Sequence, residues 1–152
     1  MSGGRIHVKW TPPRLTPAQE RKLEALGRKI TESTNALQAL APRIVEVREK
    51  VEAAETRKTE VAQKRTESQQ KVETARQAAR EAPPEQKQKA DDLLALAEQE
   101  LQSADMLLGA AEQELNAANL EEQDLSRQQQ ELEAQIRELE EQIRTAEENP
   151  ET

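Results

Sequence analysis

Apolar residues recur at alternating intervals of three and four positions along most of the chain, in two runs separated by Pro83-Pro84. The first run includes Leu23, Leu26, Ile30, Leu37, Leu40, Ile44, Val47, Val51, Ala54, Val61, Val72 and Ala75. The second includes Leu94, Ala97, Leu101, Ala104, Leu108, Ala111, Leu115, Ala118, Leu125, Leu132, Ile136, Leu139, Ile143 and Ala146. Such spacing averages 3.5 residues, so the apolar side chains stay on one seam of a helix that must find a partner helix. The two runs are nearly equal in length and share one chain, which predicts an all-α fold: a long antiparallel two-helix coiled-coil hairpin with a flexible N-terminal tail, with dimerisation left open.

Local signals set the boundaries. Thr16-Pro17-Ala18-Gln19 combines a capping hydroxyl, a proline at the first helical position and a glutamine three residues on, so the first helix is expected over 16–82. Residues 83–86 form the Pro-Pro turn, the second helix covers 87–148, and 149–152 are a short C-terminal tail begun by Asn149-Pro150. Residues 1–15 are a basic, extended N-terminal tail. Ile6, Val8 and Trp10 alternate there with Arg5, His7 and Lys9 in a strand-like pattern, and Pro12-Pro13 separates them from the first helix.

In an antiparallel pair an a residue faces a d residue, so facing residue numbers must add to a constant. A short turn aligns Leu23 with Ala146, Leu26 with Ile143, Ile30 with Leu139, Ser33 with Ile136, Ile44 with Leu125, Val51 with Ala118 and Ala75 with Leu94. Lys58 then faces Ala111 and Arg65 faces Ala104, where the small partner leaves room for each aliphatic stem. The register also brings Lys50 near Glu121, Arg57 near Glu114 and Lys71 near Glu100, and it sets Glu55 near Glu112 as a blemish. Residues 1–82 hold 17 basic and 11 acidic residues, and residues 83–152 hold 5 and 19. Each helix therefore prefers the other to itself.

Two places weaken the seam. Pro42 removes a backbone hydrogen bond from the middle of the first helix and predicts a kink, with Glu122 and Gln129 opposite the layers that bracket it. Toward the turn the seam thins to Ala, Ser and Val, which predicts a softer end.

Composition narrows the function. The chain has 152 residues and a net charge of -8, with one Trp, no Phe, no Tyr and no Cys. That inventory cannot fill a globular core and offers no thiolate metal site. No apolar run is long enough to span a bilayer, and neither helix has the aromatic anchors of a membrane-surface helix, so no membrane role is expected and a cytoplasmic location is the default. Lone His7 cannot assemble a metal or acid–base site, and carboxylates on open helix faces do not converge on a substrate. No enzyme, cofactor or metal is expected, and the overall charge makes nucleic acid an unlikely partner.

What remains points to protein partners. A second apolar line on the second helix, comprising Leu93, Leu96, Met106, Leu107, Ala110, Ala117 and Leu120, has no place in the hairpin seam and is a candidate for partner docking or self-association. In the tail, Ile6, Val8 and Trp10 can add as a strand to a partner's sheet edge with Trp10 as anchor. The expected function is a non-enzymatic coiled-coil interaction module: scaffold, stalk or adaptor in a larger assembly. In outline the pattern is similar to the coiled-coil stalk and chaperone-like proteins of type III and flagellar export systems and to some phage scaffolding proteins. The likeness lies in architecture alone and carries over no residue. The alternative is an acidic inhibitor that mimics nucleic-acid phosphates, because residues 90–126 hold ten acidic residues and no basic one.

Overall fold

In the computed structural model, which describes residues 15–148, two α-helices pack against each other as an all-α hairpin. α1 spans Pro17–Glu81 and α2 spans Lys87–Glu148, with no strand among the described residues. The tail residues Ile6, His7, Val8 and Trp10 lie outside the described residues, as do residues 149–152.

α1 opens on a reciprocal cap. The Thr16 backbone N–H donates to Gln19 Oε1 at 2.9 Å, and the Gln19 N–H donates to Thr16 Oγ1 at 3.2 Å. Two N–H groups that the helix itself cannot satisfy are thereby paired, and Pro17 occupies the first helical position, where a missing N–H costs nothing. At the other end the Gln86 N–H donates to the Pro83 carbonyl at 2.9 Å, closing the turn, and the Ala90 N–H donates to the Gln86 carbonyl at 3.0 Å, starting α2. No described residue has a positive φ, so this turn uses proline geometry and needs no glycine. Lys87 Nζ reaches back to donate to the Ala79 carbonyl at 2.7 Å, capping one of the last carbonyls of α1 with a cation that its dipole favours.

The chain divides into two compact units, one formed by the residues up to Leu40 and from Gln128 onward, the other by Ala41–Arg127. The first boundary falls two residues before Pro42, which is exposed and stands within α1. In the first unit Leu26, Ser33, Leu40 and Leu139 are buried, while Leu23, Ile30, Leu37, Leu132, Ile136 and Ile143 are half-buried. In the second unit the buried residues are mostly small: Ala54, Ala79, Ala104, Ala111 and Ala118, with Ile44, Val47, Val72 and Leu125.

Every a and d position from Leu23 to Ala82 and from Ala90 to Ala146 is buried or half-buried. Two cross-helix ion pairs in the second unit match the expected register: Lys50 with Glu121 at 3.6 Å and Arg57 with Glu114 at 3.2 Å. The third expected pair, Lys71 with Glu100, is absent, because such exposed side chains gain too little from pairing to offset the loss of rotamer freedom. Arg65 is half-buried over Ala104, as its stem requires, but its Nε donates to Asp105 Oδ1 instead of ending in water alone. Lys58 is half-buried opposite Ala111, whose exposure is 1%.

Candidate protein-docking face

The seam consumes the a and d positions of α2 and leaves its outer face, positions b, c and f, turned away from α1. In the second unit the expected apolar line lies on this face and on its g flank, where Leu93 and Leu107 stand. Leu93, Leu96 and Leu107 are 54%, 53% and 52% exposed, Met106 is 77% exposed and Leu120 66%. Ala110 and Ala117 are exposed as well. This line thus presents apolar area with no intramolecular partner, and burying such area is worth about 25 cal/mol per Å².

The same face has a second property, independent of its apolar side chains. Between Leu93 and Gln123 no b, c or f position carries a charge, although a third of the chain is charged. The c and f positions alone read Leu96, Gln99, Ser103, Met106, Ala110, Gln113, Ala117 and Leu120, which is again an alternation of three and four. The b positions Ala95, Gln102, Gly109 and Asn116 are equally neutral. All seven charges of this stretch, such as Glu98, Asp105, Glu114 and Glu121, sit at a, e or g, beside or within the seam. Gln99, Ser103 and Gln113 belong to the face only through this absence of charge.

Where the second unit's side chains are short, grooves form along the flank of the seam. One, of about 1150 Å³, lies at the turn and is lined by Ala75, Ala78, Ala82, Pro83, Ala90 and Leu93 together with polar residues that include Glu67, Lys71, Glu81 and Lys89. Alanine packs there without filling the space that leucine would take, so the sequence's thin end of the seam becomes an open groove of mixed polarity. Another, of about 490 Å³, is floored by Ala53, Ala54, Ala117 and Ala118 and edged by the Lys50–Glu121 and Arg57–Glu114 pairs.

Outside this face, the described residues contain no group of three or more His, Asp or Glu arranged to hold a metal. In the first unit Arg144 Nη2 donates to both Glu141 carboxylate oxygens at 2.5 and 2.6 Å. That bond, with the charges of Glu141 and Glu148, raises the guanidinium above its ordinary pKa. No helix among the described residues is long and apolar enough to cross a membrane. The chain matches no known family model, no curated protein and no solved structure.

Proposed function

We propose that this protein is a non-enzymatic coiled-coil interaction module, a scaffold, stalk or adaptor of the secretion-system or phage-like kind within a larger assembly. One observation carries the reading: the seam already accounts for the heptad residues, yet Leu93, Leu96, Met106, Leu107 and Leu120 stand more than half exposed on one helix. Solvent gives that apolar line no stabilisation, whereas a docked protein surface does. The tail residues Ile6, Val8 and Trp10 are a second docking element, proposed on their sequence pattern.

A capture experiment with the full chain, with a chain lacking residues 1–15 and with Leu96→Ser/Leu107→Ser tests this. The docking reading expects at least one of the two alterations to abolish capture while helicity and melting temperature stay unchanged. Capture that survives both would overturn it.

A second reading, the nucleic-acid mimic, draws on the ten acidic and no basic residues of 90–126. It expects capture to vanish as salt rises and to ignore the leucine substitutions.

A further inference from the structure

Resting on the docking role just given to α2, we infer that the occupant of its outer face is a second copy of this chain, paired antiparallel across the c and f positions around a two-fold axis near Leu108. Three observations support a like partner over an unlike one.

First, the face is neutral. Two identical faces of one sign repel, and a face that only solvates its own helix has no reason to exclude charge over four heptads. The outer face of the same helix beyond Gln128 bears Glu131, Arg137, Glu138, Glu141 and Arg144. A neutral face meets its own image without the electrostatic cost that a face of one sign carries.

Second, the face is complementary to itself. Antiparallel pairing about residue 108 sets Leu96 against the second copy's Leu120 and Met106 against its Ala110. It sets Gln99 against Ala117 and Ser103 against Gln113. Each large residue meets a small one in the middle layers, and leucines close both ends, which is the interdigitation a coiled-coil seam requires. The flank at position g brings Leu107 against its own copy. Glu100 falls near the second copy's Glu114, which is already held by Arg57 at 3.2 Å. Beyond the closing leucines the same register sets Asp92 against the second copy's Asp124 and Lys89 against its Arg127, so the paired stretch is confined to residues 96–120.

Third, packing within the hairpin does not account for Gly109. A Cβ built there would meet nothing within 4 Å, so no neighbour in the hairpin demands a glycine. In the paired arrangement Gly109 sits at the two-fold axis against Gly109 of the second copy. A missing side chain there lets two backbones approach, and its cost to the isolated helix is offset only in the dimer.

Sedimentation equilibrium on the full chain tests the pairing. The wild type should sediment as a dimer, and Met106→Glu and Leu96→Glu should each raise the dissociation constant by about a hundredfold or more, because a carboxylate would be buried without a partner. Val45→Glu, on an exposed site of α1, should leave the dimer intact. Circular dichroism checks that each variant remains helical, as substitutions at exposed positions allow. Register is read separately with spin labels on single cysteines in a chain that has none of its own. Labels at residue 107 should lie close between chains, and labels at residue 93 should stand about 40 Å apart at roughly 1.5 Å per residue.

A wild type that stays monomeric at high concentration overturns the inference, as does a dimer indifferent to both glutamates. Close labels at both 107 and 93 would mean parallel pairing and overturn it too. A monomer whose capture of another protein still depends on Leu96 and Leu107 would sink the second copy but spare the docking role. A dimer with no stripe-dependent or tail-dependent capture would do the reverse.

Discussion

The two units build the same seam from opposite materials. The unit that includes Leu26, Ile30, Leu37, Leu132, Ile136 and Leu139 uses bulk, and no ion pair joins its two helices among the described residues. The unit formed by Ala41–Arg127 buries five alanines and draws its cross-helix pairs from charge: Lys50–Glu121, Arg57–Glu114 and Arg65–Asp105. Outside, the contrast reverses. α2 is charged on its outer face in the first unit and neutral between Leu93 and Gln123 in the second. Large residues specify register by shape and gain most from burial, whereas small residues allow close helices and leave register to the flanking charges. A helix that is alanine-rich inside and apolar outside has spent its larger side chains on a different surface.

The largest test of that contrast is Leu139→Ala, which should cost about 2–3 kcal/mol in chemical denaturation, since the side chain is buried and its removal leaves a cavity. Leu96→Ala at low protein concentration should cost under about 0.5 kcal/mol. Equal losses would mean that bulk in the first unit is not what holds the seam.

Adding volume should have opposite signs in the two units. Ala111→Leu, at a site 1% exposed, should destabilise by about 1–3 kcal/mol through overpacking against Lys58. Ser33→Leu should raise the melting temperature, because Ser33 is a buried polar residue in the layer of Ile136 and lines an open cleft of about 400 Å³. Stabilisation at both positions would show that the alanines are not needed for close approach.

Smaller effects sharpen the picture at the turn and on the flank. Lys87→Met removes the donor to the Ala79 carbonyl and should cost about 1 kcal/mol. Its mark in hydrogen exchange should be faster opening around residues 75–95, and unchanged exchange there would make the bond incidental. A double-mutant cycle on Arg57→Ala and Glu114→Ala should give a coupling of about 0.2–1 kcal/mol that shrinks at high salt, as expected for a half-exposed pair. A coupling that salt leaves unchanged would contradict the charge-written register of this unit.

Much of this was legible before any coordinates. The heptad spacing alone marks each a and d position that is withdrawn from solvent, because one stripe in 3.5 residues is the only face two helices share. Thr16 and Gln19 were legible for the same reason: the cap is local. The misses are tertiary. Asp105 sits at an e position and was not paired with Arg65, because the layer rule places Arg65 only against Ala104. Lys71 and Glu100 were placed within reach, but proximity on a wet surface does not fix a bond. The Lys87 contact depends on how the Pro-Pro turn aims the chain, and the groove at the turn is a shortage of volume that no single residue announces. For the candidate site, apolarity alone marks the exposed leucines and Met106, whereas Gln99, Ser103 and Gln113 belong to the face only by heptad position and lack of charge.

The contact of Lys87 with Ala79 also bears on the order of folding. Its two ends are eight residues apart, so closing it confines a very short loop. Once the turn is closed, each further layer toward Ile44 and Leu125 adds only a few residues to an ordered edge, although those two residues lie far apart in the chain. Large sequence separation then slows folding little, because no layer has to be found by a diffusive search of the whole chain. The softest packing in the second unit thereby lies where its assembly has the least entropy to overcome.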